Sequence, residues 1–174
     1  MSALAPNVTR VLLGDGIPTD LPPMVADERS TAIEDLIQTN QLRPLNHGED
    51  SYGPGPYFLH LSKNQLGMVL RFSLAEHGET PREDQQLSIG LALGPLRRAM
   101  RDYGQIVDSY YEAIRTGIAA RIESIDMARR GVHNDAAVIL MDRLAGKVHL
   151  DHATARRLFT LIYSLRYDGK GAMR

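Results

Sequence analysis

Residues 94–116 read GPLRRAMRDYGQIVDSYYEAIRT, and the period of that stretch decides the fold. Leu96, Ala99, Met100, Tyr103, Ile106, Val107, Tyr110 and Ile114 recur three or four positions apart as one apolar stripe. Arg97, Arg98, Arg101, Asp108 and Glu112 fall away from it, the pattern of an amphipathic helix. Pro95 suits the first turn, where an N–H would lack an intrahelical partner anyway. Thr116-Gly117 marks the end.

Downstream the same period continues. Ala119 to Arg130 is expected to be a second helix, with Ile122 and Ile125 facing inward. Gly131 would cap it, and Arg129 and Arg130 would fall in its last turn, where cations suit the helix dipole. Asn134 would open a third helix, Asp135 to Ala145, with Val138, Met141 and Leu144 inward and Gly146 as its stop. Asp151 is expected to cap a fourth helix carrying Ala155, Leu158, Phe159, Ile162 and Leu165.

Upstream, the spacing turns to strands. Asn7 to Leu13, Tyr57 to Ser62, Gly67 to Ala75 and Gln86 to Leu93 are short, partly alternating and bounded by turn residues. Lys63-Asn64-Gln65 is read as one hairpin connection and His77 to Pro81 as a longer one. Between the first two strands, Met24 to Asn40 has helical spacing through Ala32, Ile33, Leu36 and Ile37, with Asp27 and Glu28 expected to favour its dipole. Arg43 to Pro56, with three prolines and three glycines, reads as a loop. The expectation is one α+β domain over 1–174, mainly strands plus one helix from 7 to 93 and helical from 94 to 166. Its small antiparallel sheet and N-terminal helix pack against a C-terminal bundle of about four helices, and 167–174 is a frayed tail.

Composition narrows the function classes. A chain of 174 residues, 43% hydrophobic and 24% charged, has the balance of a soluble globular protein. No apolar run approaches the ~20 residues that span a bilayer, and no secretory pattern opens the chain. Zero cysteines remove thiolate nucleophiles, disulfides and Cys-based metal sites. A cytoplasmic protein with no membrane partner is the expectation. Charge is uneven: residues 1–88 carry 6 Lys+Arg against 12 Asp+Glu, and residues 89–174 carry 14 against 9. The basic half either meets an anionic partner or simply attracts the acidic half.

Asp102-Tyr103, the run Ser109 to Arg115, the run Ile122 to Met127, Arg129 to Asn134 and Thr154 to Leu161 together resemble a known family. Glu28-Arg29, Ala32-Ile33, Pro56-Tyr57 and Pro95 to Arg98 extend the likeness over nearly the whole chain. That family is a set of short alphaproteobacterial proteins in the uncharacterised series, UPF zero-two-six-two. The chain departs from it at Tyr167, where relatives tend to have Trp, and at Val107, where many have Cys. The resemblance implies a soluble cytoplasmic protein whose helical block is the family's signature. It implies no activity and no site residues.

The residues themselves suggest candidates. The six histidines include no His-Glu-x-x-His and no pair at i,i+4. His149 and His152 flank Asp151, and beside a helix cap they read as surface residues, so no metal is expected. Gly14-Asp15-Gly16 and Gly53-Pro54-Gly55 match no phosphate-binding motif, so no cofactor is expected either. Ser109 and Ser124 lie inside helices with no nucleophile elbow.

The run Arg129-Arg130-Gly131-Val132-His133-Asn134 is the best site candidate. Arg129 and Arg130 would hold an anion while His133, oriented by Glu112 or Asp126, acts as acid or base. The same residues also read as a helix end, a cap and a helix start, and this capping reading is weighed above the catalytic one. A helix-turn-helix match is opposed by Asp126 at an apolar position and by Asp135 and Asp142 on the second helix, which argues against sequence-specific DNA. Arg97, Arg98, Arg156 and Arg157 form the other basic surface, suited to an acidic protein or RNA if they converge. The leading expectation is therefore a binding or regulatory protein engaging an anionic partner. The alternative is a small cofactor-free enzyme acting on an anionic metabolite at Arg129, Arg130 and His133. A third reading is a structural homo-oligomer, which would show as an exposed apolar stripe on the C-terminal helices.

Overall fold

A computed structural model describes residues 5–46, 50–51, 55–75 and 86–166. The expected second hairpin connection, His47, Gly53-Pro54 and the expected C-terminal tail lie outside them. The order is β1 (Val8–Leu13), α1 (Pro23–Gln38), β2 (Arg43–Asn46), β3 (Asp50–Ser51), β4 (Tyr57–Asn64), β5 (Gly67–Leu74) and β6 (Gln86–Leu91). Then come a 3-10 turn at Gly94–Leu96, α2 (Arg97–Thr116), α3 (Ala119–Leu144), β7 (Val148–His149) and α4 (His152–Ser164). The α+β expectation holds.

Four strands form one sheet in the order β1-β4-β5-β6. The last three are antiparallel, with Leu59 opposite Phe72, Leu61 opposite Leu70, and Leu70 opposite Ile89. These apolar side chains share the buried face that the alternation demands. At the β4–β5 turn, the Asn64 carboxamide oxygen accepts from the N–H groups of Leu66 (2.9 Å) and Gly67 (3.1 Å). β1 joins parallel to β4, so the sheet is mixed rather than wholly antiparallel. The helix α1 supplies the crossover that a parallel pair requires.

Buried Asn40 joins α1 to β1. Its Oδ1 accepts from the Val8 N–H at 2.9 Å, and its Nδ2 donates to the carbonyls of Val8 (2.8 Å) and Leu36 (2.9 Å). Burial of this amide costs little because its polar atoms are partnered. Asp27 and Glu28 lie past the first turn of α1, which begins at Pro23, and Glu28 instead meets Arg166 at 3.3 Å. Arg29, also buried, donates to the carbonyls of Pro18 (2.6 Å) and Ser164 (3.4 Å), tying α1 to the end of α4.

Part of the expected 43–56 loop is strand. β2 lies between β3 and β7, with Pro44 opposite Val148 and the Leu45 N–H donating to the Lys147 carbonyl at 2.9 Å. The ladder thus uses a neighbouring amide where proline has none.

α4 is the centre of the helical layer and packs against both α1 and α3. The expected stripe of Ala155, Leu158, Phe159, Ile162 and Leu165 is buried throughout. Asp151 caps this helix by accepting from the Thr154 N–H at 2.8 Å. Gly117 ends α2 at φ +69°, its N–H donating to Ala113 at 2.9 Å.

The expected break after Arg130 is absent. α3 runs unbroken for 26 residues, so Gly131 caps nothing, Asn134 opens nothing, and no helix-turn-helix exists there. The C-terminal half is three long helices rather than four. The inward face is also set differently: Ala136, Ala137, Leu140 and Leu144 are buried, whereas Val138 is 59% exposed. Tertiary packing of that face outweighs the ~1 kcal/mol that a mid-helix glycine costs relative to alanine.

A basic pocket between two helices

Continuity of α3 gives the candidate residues a common face. Arg129, Arg130 and His133 stand at i, i+1 and i+4, and in a helix that spacing puts Arg129 one turn below His133. On α4 the corresponding spacing puts Arg156, Arg157 and Thr160 side by side. The two faces wall a pocket of about 330 Å³, to which α2 contributes Tyr103 and α1 contributes Ala32 and Asp35.

His133 is a wall of this pocket. Its ring stacks on Tyr103 with centroids 4.8 Å apart, and Phe159 meets it edge-on at 5.9 Å. Thr160 Oγ1 donates to the Arg156 carbonyl at 3.2 Å and lies 3.3 Å from His133 Nε2, which makes the hydroxyl the acceptor of an Nε2–H. Burial, then the positive charges of Arg156 and Arg129, lower its pKa to about 4. The imidazole is therefore neutral at pH 7. Neither Glu112 nor Asp126 orients it, contrary to expectation: Glu112 lies 3.7 Å from Arg121, and Asp126 binds arginines.

Asp126 holds two of the four pocket arginines. Its Oδ1 accepts from Arg129 Nη2 at 2.6 Å and Nε at 3.2 Å, and its Oδ2 lies 3.1 Å from Arg130 Nη2. The hydrogen bond from Arg129 holds the Asp126 carboxyl below the usual carboxylate range. Arg129 also acts on the neighbouring Tyr103 phenol, while burial, the larger effect, raises the Tyr103 pKa and keeps its proton in place.

Arg156 and Arg157 differ. Among the described residues neither has a carboxylate within 4.0 Å, although both are half-buried. Arg156 Nε is buried and makes no hydrogen bond. Two half-buried guanidiniums with unused donors on a concave wall can grip an oxyanion, since the planar fork matches carboxylate and phosphate geometry. The volume lies at the small end for ligand pockets, which suits an anionic group more than a large ligand.

The remaining candidates lie elsewhere. Asn134 is exposed and outside the pocket. Arg98 is 86% exposed and 3.7 Å from Asp102. Arg97 lines a separate groove of about 940 Å³, with Lys63 and Arg101 among its cations. Arg97 and Arg98 therefore do not converge with Arg156 and Arg157. His149 and His152 are exposed on either side of Asp151, whose carboxylate serves the α4 cap. Tyr103 and Thr160 also line the pocket, and no sequence motif marks either as a site residue. Tyr103 lies on the apolar stripe, a position whose spacing in sequence signals core and gives no hint of its phenol's role.

No solved structure matches the chain. Curated relatives do. A UPF0262 protein of Sphingopyxis alaskensis is 44% identical over 172 residues, covering 97% of this chain and all of the relative. One from Mesorhizobium japonicum is 47% identical over 84% of this chain and 85% of its own length. Another from Erythrobacter litoralis is 46% identical over 83% of this chain and 86% of its own. Residues 5–168 match the family described as Uncharacterised protein family (UPF0262), and with relatives of this identity and coverage the chain belongs to that family.

Proposed function

We propose that this protein is a cytoplasmic anion-binding protein whose pocket between α3 and α4 receives a phosphate or carboxylate group of its partner. The observation that carries this reading is half-buried Arg156, whose buried Nε makes no hydrogen bond, beside half-buried Arg157. Arg157 has no carboxylate within 4.0 Å among the described residues and acts on Asp151 only at longer range. Stability alone gives no reason to gather four arginines around one pocket, two on α3 and two on α4, with Asp126 engaging the α3 pair alone, since like charges repel. A bound oxyanion would complete the pocket. Asp126 pre-orients Arg129 and Arg130, and Tyr103 presents a phenol hydrogen beside them. The concave shape favours a discrete anionic group over the flat, extended contact that an RNA backbone makes.

The alternative enzyme, with His133 as acid or base, has less support. Its ring is only 8% exposed, its Nε2 is engaged by Thr160, and its pKa lies far below neutrality.

Titration of the whole protein with inorganic phosphate, pyrophosphate and citrate, followed by amide and arginine side-chain NMR shifts, tests the proposal. Saturable shifts at Arg156 and Arg157 are expected, with dissociation constants near or below ~1 mM. Arg156→Gln/Arg157→Gln should abolish them. Absence of saturable shifts with all three anions, or binding indifferent to that double substitution, overturns the reading.

A further inference from the structure

The α2–α3 hairpin extends past the protein's core. From Ile106 to Val132 one residue, Ala113, is buried, although nine large apolar side chains lie between Ile106 and Met127. Of the seven exposed large hydrophobics among the described residues, four are here: Tyr111 (52%), Ile114 (48%), Ile118 (52%) and Met127 (68%). The bases of the two helices are different, for Ala99, Tyr103, Ala136, Ala137 and Leu140 are buried there. Two helices alone form one layer and cannot cover their own apolar faces; a further layer is needed.

Charge says what that layer is. The tip carries the cations Arg115 and Arg121. Behind it lies an acidic band, Asp108 and Glu112 on α2 with Glu123 and Asp126 on α3. Glu112 already meets Arg121 at 3.7 Å, and Asp126 holds Arg129 and Arg130. That leaves Arg115 at the tip and Asp108 and Glu123 in the band without an ion pair among the described residues. Residues 106–130 contain four acids and four bases, so the arm attracts neither a polyanion nor a polycation. Its bands are self-complementary instead. Laid antiparallel and offset, the cationic tip of one hairpin falls on the acidic band of another, and two-fold symmetry makes that contact twice.

We infer that the α2–α3 hairpin is a dimerisation arm. A second copy of this chain packs antiparallel on the first, burying Ile114, Ile118 and Met127 and setting Arg115 over Asp108 and Glu123 of the other copy. Two hairpins then complete a four-helix bundle, in which each supplies the layer the other lacks. This inference stands independently of the anion pocket.

Light scattering on the full chain at tens of micromolar should give twice the 19.3 kDa chain mass. Ile118→Glu/Met127→Glu should halve that mass with helicity unchanged. Leu66→Glu, at an 86% exposed site on the β4–β5 turn, should leave it a dimer. Charge exchange supplies a test that does not depend on apolar substitutions folding. Arg115→Glu alone and Asp108→Lys/Glu123→Lys alone should each dimerise about tenfold more weakly, because tip and band then repel. Mixed together, the two variants should recover a stable heterodimer, since both contacts are again of opposite sign. A monomeric wild-type protein, even one that captures some other protein, overturns the inference. So does a dimer indifferent to Ile118→Glu/Met127→Glu, or a mixture that forms no heterodimer.

Discussion

Arg129 and His133 stand one helical turn apart on the same face of α3, with Gly131 between them on an uninterrupted helix. That relationship turns a run which locally resembles a helix end into one wall of a pocket. The first prediction tests it through the glycine.

Gly131 has helical backbone, is exposed, and has open space where a Cβ would stand. Gly131→Ala should therefore stabilise the protein by roughly 0.5–1 kcal/mol, through helix propensity and a less flexible unfolded chain. A capping glycine at positive φ would give the reverse sign. Urea unfolding distinguishes the two, and a midpoint lowered by the substitution would contradict the continuous helix.

His133 predicts how stability depends on pH. Its folded pKa of about 4 lies below the unfolded value of 6.5, so between them the unfolded chain binds more protons. The contribution is complete above pH 6.5 and is lost as pH falls toward 4, on the order of 3 kcal/mol in total. His133→Leu should flatten that part of the stability curve measured by urea midpoints from pH 4 to 8. Arg156→Gln should raise the His133 titration midpoint seen by NMR, because Arg156 is the first of the two charges that depress it. A midpoint that stays put or falls would show that the electrostatics of the pocket are misassigned.

The parts of this protein legible in its sequence are those decided within one or two turns of chain. The Gly117 stop, the Asp151 cap and the α4 stripe each depend on neighbours a few positions away, and each is where local chemistry puts it. At Gly131 and Asn134 equally good local signals mislead, because the buried face from His133 to Leu144 holds the helix across them. β2 was hidden by Pro44, whose strand survives by donating through Leu45. The pocket is a matter of tertiary contact. Arg129 and Arg156 are 27 positions apart, and no local pattern shows that α3 and α4 turn those faces toward each other. The adjacent arginines on each helix were the visible hint, and Arg97 and Arg98 gave the same hint without a shared pocket.

Asn40 provides a test of how the two halves of the N-terminal region are joined. Its carboxamide satisfies both the N–H and the carbonyl of Val8, and also the Leu36 carbonyl in the last turn of α1. Asn40→Leu keeps the branched shape but leaves these buried groups without partners, at about 1–3 kcal/mol for each group stranded. A total loss of roughly 3 kcal/mol is expected, since relaxation recovers part of the sum. Asn40→Asp should also destabilise, because a carboxylate cannot donate to the Val8 and Leu36 carbonyls and brings a charge into a site that is 1% exposed. Amide exchange should locate the damage at β1 and the end of α1, leaving α2 and α3 as protected as in the wild type. Uniform loss of protection across all helices would mean that this joint is part of the global folding unit rather than a local clasp between β1 and α1.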